Sequence, residues 1–173
     1  MNSRIVTQIR AANLWTSPYK FEAPWEAYEF ANHALSFDAR LIVLSMAWNS
    51  LTDPIAFHEH PEEPDMETIT YWLTRLMPLV DTKDKDEVIV VFANRTGWEG
   101  SATYVGTSTV VGIQNGEIRV YGMLGRGEKK LLVVDTDKPP FARLRFGPRP
   151  KPESGEPPNS NDGKTRDEQA ISS

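Results

Sequence analysis

Six apolar residues in a row, Val88-Ile-Val-Val-Phe-Ala93, stop abruptly at Asn94 and open into the polar, glycine-punctuated stretch Asn94-Arg-Thr-Gly-Trp-Glu-Gly100. No other stretch constrains the fold as much. The run is of strand length and rich in β-branched residues, so it reads as a strand buried on both faces rather than as one amphipathic edge. A strand of that kind needs covering layers on either side, which selects a layered α/β architecture. Such a strand also delivers the polar residues that follow it to its C-terminal end, where sites in α/β folds tend to lie.

A second run of the same kind, Leu41-Ile-Val-Leu-Ser-Met46, predicts a second strand buried on both faces. Before it, Phe21, Trp25, Tyr28, Asn32 and Leu35 recur at three-to-four spacing behind Pro24, which predicts an amphipathic helix of about three turns. After it comes a long loop with His58-Glu-His60 and the acids Glu59, Glu62, Glu63 and Asp65. Two histidines two apart in a Pro-flanked loop match no metal-ligand spacing, so the loop reads as solvated and no metal or cofactor is expected.

Asp65 is placed to cap the next helix, with Glu67 in its first turn and Met66, Ile69, Trp72 or Leu73, Leu76 and Leu79 as its apolar stripe. Pro78 is expected in its last turn. The charged connection Lys83-Asp-Lys-Asp-Glu87 leads into the opening strand, and a solvated turn accounts for it. Beyond it, Tyr104 to Ile113 predicts one strand, Asn115-Gly116 a type I′ hairpin turn, and Glu117 to Tyr121 the return strand. Gly125-Arg-Gly127 reads as a turn and Leu131 to Thr136 as the last strand. From Lys138 onward, prolines crowd in and no aromatic follows Phe146, so residues 138–173 are expected to be disordered. Phe141, Leu144 and Phe146 are the residues that would anchor the start of that arm.

The chain of 173 residues suits one domain with a real core. Its formal charge of −5 argues against nucleic acid or an anionic membrane as partner. No apolar run reaches the roughly 18–20 residues of a membrane span, and the N-terminus has no signal-peptide core. A cytoplasmic protein is the expectation. Zero cysteines exclude disulfides, cysteine-ligated metal and a thiol nucleophile together.

The order helix, strand, loop, helix, strand with polar exit, hairpin resembles the second half of a carbon–nitrogen hydrolase of the nitrilase superfamily. More narrowly, the chain is similar to the fungal protein N-terminal amidases, which deamidate N-terminal Asn and Gln in an N-degron pathway. The resemblance rests on Pro18-Tyr-Lys-Phe-Glu-Ala-Pro-Trp25, Leu41-Ile-Val-Leu-Ser-Met-Ala-Trp48, Tyr71-Trp-Leu-Thr-Arg-Leu76 and Val90-Val-Phe-Ala-Asn-Arg-Thr-Gly97. Tyr104-Val-Gly-Thr-Ser108, Gly125-Arg-Gly-Glu128 and Leu131-Leu-Val-Val-Asp-Thr-Asp137 complete it. It divides the chain into an atypical segment 1–17, a partial hydrolase domain 18–137 and the tail 138–173.

That resemblance implies part of an α-β-β-α sandwich that usually dimerises through its helix layer. It implies chemistry by a cysteine thiolate, a glutamate base and a lysine that stabilises the oxyanion. In this chain the cysteine position falls on Asn13, whose amide is no nucleophile, and the glutamate and lysine would lie in the half of the fold that has no counterpart here. A clipped gene start would produce such a junction. All three catalytic roles are therefore expected to be empty. The pocket wall remains: Tyr19, Glu22, Trp48, Asn49, Asn94, Arg95 and Glu99, with Glu99 either receiving the α-ammonium of a peptide or protein N-terminus or pairing with Arg95. Two functions follow as expectations. One is an N-terminal amidase domain lacking activity. The other is a catalytically dead binding module that pairs with a full-length homologue, or with itself, through its helices.

Overall fold

The computed structural model describes residues 25–82 and 85–145. Asn13, Tyr19 and Glu22, the start of the first helix and the tail beyond Arg145 lie outside them. The layered α/β class holds. A five-stranded sheet runs in the order β1-β3-β6-β7-β8, formed by β1 (Leu41–Met46), β3 (Val88–Asn94), β6 (Thr109–Gln114), β7 (Glu117–Met123) and β8 (Ala142–Arg145). One helix layer covers one of its faces, made of α1 (Glu29–Ser36), α3 (Met66–Arg75) and α4 (Met77–Asp81). A second sheet of three short strands, β2 (Asn49–Ser50), β5 (Ala102–Val105) and β4 (Thr96–Glu99), stands at the end of the first.

β1 and β3 are parallel and in register from Leu41 opposite Ile89 to Met46 opposite Asn94. The crossover between them carries α2 (Pro54–Phe57), α3 and α4. From β3 onward the main sheet is antiparallel, with Val90 opposite Val111 and Val111 opposite Val120. On the helix side, Ile42, Leu44, Val88, Val90, Phe92, Val111, Ile113, Ile118 and Val120 meet Phe30, Ala31, Ala34, Ile69, Leu73, Leu76, Leu79 and Val80 in one core. Burial of this apolar surface is the main force holding the layers together, at about 25 cal/mol per Å².

Both apolar strand runs are correctly located, but neither strand is buried on both faces. β3 alternates strictly: Val88, Val90, Phe92 and Asn94 are buried, whereas Ile89 and Val91 are half-buried and Ala93 is exposed. In β1, Val43 is 39% exposed. The outer face is thus apolar in sequence and open in space at β1 and β3. At β7 it is covered, because the chain at Leu132 and Val134 lies against Gly122, where a Cβ would collide with both side chains. That covering segment corrects another expectation. Residues 131–136 form no ladder, and the strand that pairs with β7 is β8, inside the stretch expected to be disordered. β8 is held by its backbone and by Arg143 and Arg145 facing Glu117 at 3.5 and 3.7 Å, while Phe141 and Leu144 stay exposed.

Three further differences have local causes. Tyr28 adopts φ 41°, which breaks the expected helix, so that α1 begins at Glu29 and buries Phe30, Ala31 and Ala34 instead of the stripe through Asn32 and Leu35. The expected single helix from Met66 bends at Leu76, and Pro78 sits in the first turn of α4, where its missing N–H costs nothing. The expected strand Tyr104–Ile113 is cut at Gly106 and Thr107, both at φ 55°, and its two halves join different sheets. The long loop after β1 also gains order: Asp53 caps α2 by accepting hydrogen bonds from Ile55 N and Ala56 N at 3.0 and 3.2 Å.

Candidate functional site

β1 and β3 end side by side, and the chain beyond them builds one end of the molecule. Asn94 is the hinge of this arrangement. It is 9% exposed, its Oδ1 accepts the N–H of Trp48 at 3.0 Å, and its own N–H reaches Ser108 Oγ at 3.1 Å. The backbone closes the corner through Arg95 N to Met46 O at 2.9 Å and Val105 N to Trp48 O at 3.0 Å. Trp48 is thereby fixed at the exit of β1. Its ring packs against Tyr71 and Trp72 of α3, with centroids 5.1 and 5.4 Å apart.

Trp48 and Asn49 form one wall of an open cleft of about 940 Å³. The facing wall is the start of α3 with Glu67 and Tyr71, and the far side is Phe57, Glu63, Pro64 and Arg126. Asp65 caps α3 as the sequence predicts, accepting Thr68 N–H at 3.2 Å, and its own N–H is held by Thr107 Oγ1 at 2.8 Å. The much smaller cavity of about 30 Å³ lies at the opposite end of the strands, near Arg40 and Gln114, and is water-sized.

The far wall is held by a clasp that the sequence reading passes over as a turn. Arg126 N and Gly127 N donate to Glu63 O and Pro61 O at 2.8 and 2.9 Å. The Arg126 guanidinium adds Nε to Glu63 O at 3.1 Å and Nη2 to Pro64 O at 3.3 Å, and it lies over the Phe57 ring at 4.9 Å. Thr96 Oγ1 donates to Arg126 O, and at Gly106 a Cβ would overlap that same carbonyl. Gly125 and Gly127 face Pro61 and Glu62 so closely that neither could carry a side chain. Glu128 completes the clasp by accepting Gly125 N–H at 2.9 Å. Its pKa is lowered from the usual 4.5, first by its hydrogen bond to Lys130 and then by the Gly125 N–H. Glycines flanking a lone arginine are the sequence signal for such a close backbone approach.

The expected wall residues are not gathered in one place. Trp48 and Asn49 line the cleft, and Asn94 supports it from behind. Arg95 and Glu99 form a separate cluster on the small sheet. Arg95 Nη2 meets Glu99 Oε2 at 3.0 Å, its guanidinium covers the Tyr104 ring at 4.3 Å, and Tyr104 Oη donates to Glu99 Oε2 at 3.4 Å. Glu63, Glu67, Tyr71 and Arg126 are the cleft residues that sequence reasoning did not single out for a site. Of the histidines, His58 Nδ1 donates to Pro54 O at 2.9 Å and its ring lies between Phe57 and Trp98, whereas His60 is exposed 3.9 Å from Glu62. Among the described residues no group of three His, Cys, Asp or Glu side chains is arranged to hold a metal ion, and no helix is long and apolar enough to cross a membrane.

A protein N-terminal amidase of Schizosaccharomyces pombe is 32% identical to this chain over 133 residues, covering 70% of the chain and 45% of the relative. The chain therefore spans less than half the length of the curated relative it matches. No family model and no solved structure matches it.

Proposed function

This chain is a partial relative of protein N-terminal amidase, and on that premise we propose that it is the substrate-facing portion of an amidase-type hydrolase domain and binds a polypeptide N-terminus without hydrolysing it. The observation that carries this reading is the cleft at the paired ends of β1 and β3, to which the segments that carry the family resemblance contribute Trp48, Tyr71, Val105 and Arg126. Trp48 and Asn49 form the wall with Asn94 behind it, and the carboxylates of the facing side suit a cationic group. Catalysis of the amidase type needs a nucleophile, and the chain has no cysteine to supply a thiolate. The purified chain is expected to release no ammonia from peptides beginning with Asn or Gln, yet to bind them saturably. Ammonia released at a rate proportional to chain concentration would overturn this reading.

Association is the second reading, and the open outer face of β1 and β3 favours it. Val43, Ile89 and Val91 form an apolar surface without a covering layer among the described residues. Exposed apolar patches of this kind mark contact surfaces. The contact would then run through the sheet rather than the helix layer, with a longer homologue or a second copy. Sedimentation of the pure chain should show self-association that Val43→Lys relieves. A monodisperse wild-type monomer would contradict it.

A further inference from the structure

We infer that residues 129–135, which join neither sheet, are a strand without a ladder that pairs antiparallel with the same residues of a second copy of the chain, centred on Leu132. This contact is separate from the cleft and from the open face of β1 and β3, and it draws on neither reading of them.

The segment has the properties of a strand except a partner. Leu131, Val133 and Asp135 are exposed, while Leu132 and Val134 are half-buried against Gly122, and that two-residue period belongs to extended chain. Leu131 and Val133 are 87% and 78% exposed. Both ends are held, because Glu128 N donates to Gly125 O at 3.4 Å and Lys138 N to Asp135 O at 3.2 Å. Between those bonds, residues 129–134 make no backbone-to-backbone hydrogen bond among the described residues. A row of open N–H and C=O groups beside apolar side chains is a template for another strand.

Charge and pattern select the segment itself as that strand. Lys129-Lys-Leu-Leu-Val-Val-Asp135 is basic at one end, apolar in the middle and acidic at the other, so antiparallel self-pairing brings opposite charges together. Residues directly opposite each other share a face. A centre at Leu132 sets Leu131 opposite the second copy's Val133, and Lys129 opposite its Asp135. A centre at Val133 would set Leu131 opposite Asp135 and lose both matches, and a half-step shift would set exposed residues opposite half-buried ones. Glu128 and Lys130 meet at 2.5 Å and Asp135 meets Lys138 at 3.7 Å, which leaves Lys129 without a carboxylate among the described residues. A two-fold axis through Leu132 makes the contact isologous, so it closes as a dimer and does not propagate as a fibre.

The test uses the full 173-residue chain, which has no cysteine to compete with an introduced one. Directly opposite positions are about 4.5–5.5 Å apart between Cα atoms, within disulfide reach, whereas diagonal ones lie beyond it at about 7–8 Å. A mixture of the Leu131→Cys and Val133→Cys chains, treated with diamide, is therefore expected to cross-link at least about tenfold faster than either chain alone. Both positions are exposed, so neither thiol disturbs the core. Sedimentation of the unmodified chain should show a monomer–dimer equilibrium that Val133→Lys weakens at least about tenfold, since lysine on an edge strand opposes pairing. Dissociation by Val133→Lys and not by Val43→Lys upholds the inference and sinks the β1–β3 contact. Dissociation by Val43→Lys and not by Val133→Lys overturns the inference and leaves the β1–β3 contact standing. Cross-linking of the Val133→Cys chain alone as fast as the mixture overturns the register and the inference with it. A monodisperse monomer overturns both contacts.

Discussion

Two acidic regions flank the exit of the central strand, and they differ in what their charges do. On the small sheet, Glu99 is met by Arg95 at 3.0 Å and by the Tyr104 hydroxyl, so its charge is compensated within the protein. Across the Trp48 wall, Glu63 and Glu67 face an open cleft with no such partner among the described residues. The two regions also differ in how they are built. The Arg95 cluster is an exposed ladder of long side chains. The cleft is fixed by backbone, with Arg126 clamping residues 61–64 and Asn94 clamping Trp48. A pair formed from neighbours in sequence satisfies itself. A carboxylate fixed by distant backbone remains available to a ligand.

The largest effect that separates the regions should come from the clasp. Arg126→Ala removes two charged hydrogen bonds to carbonyls and the Phe57 contact. It is expected to cost about 2–4 kcal/mol in urea melts, since bonds to charged groups contribute about 1.5–3 kcal/mol each before exposure is discounted. It should also abolish ligand binding. An unchanged midpoint would show that the far wall needs no clasp.

A somewhat smaller loss is expected from the helix layer that carries Glu67 and Tyr71. Arg75 of α3 is 4% exposed and its Nη2 contacts both carboxylate oxygens of Glu29, at 2.7 and 2.8 Å. Glu29→Gln removes one carboxylate charge from beside that buried guanidinium. About 1–3 kcal/mol of stability should be lost, below the full 3–5 of a wholly buried pair because Glu29 is half exposed. A cost under a few tenths would show that Arg75 finds another partner.

Acid should loosen the clasp through Glu128. Glu128 has a folded pKa below its usual 4.5, so it contributes stability above that value and loses it as pH falls through the lowered one. Amide exchange at Gly125, corrected for intrinsic rate, should therefore quicken as pH falls through that lowered value, and Glu128→Gln should remove the dependence. The smallest effect belongs to the self-satisfied pair. Glu99→Ala should change stability by no more than about 0.2–1 kcal/mol, as for exposed ion pairs generally. A loss beyond 2 kcal/mol would break the contrast between the two regions.

Local pattern made much of the scaffold readable. The β-branched runs located β1 and β3, Asn115-Gly116 located the β6–β7 hairpin, and Asp65 located the start of α3, because each signal acts within a few residues. What escaped depends on distant partners. Whether Val43 and Val91 are covered is decided by another layer and not by their own hydrophobicity. β8 forms because the backbone of β7 and the charge of Glu117 receive it, although its own segment is rich in arginine and proline. Trp48 and Asn49, singled out because they follow a strand end, line the cleft. Arg126 was not singled out, because its contacts run across about 60 residues of chain, to Glu63 and Pro64. Tyr28 at φ 41° had no signal in the sequence at all.

Hydrogen exchange of the full chain with and without an Asn-initiated peptide tests the central claim most directly. Slowed exchange at residues 48–52 and 63–71, with residues 95–104 unchanged, is the predicted result. Protection confined to residues 95–104, or none anywhere at saturating peptide, would contradict it.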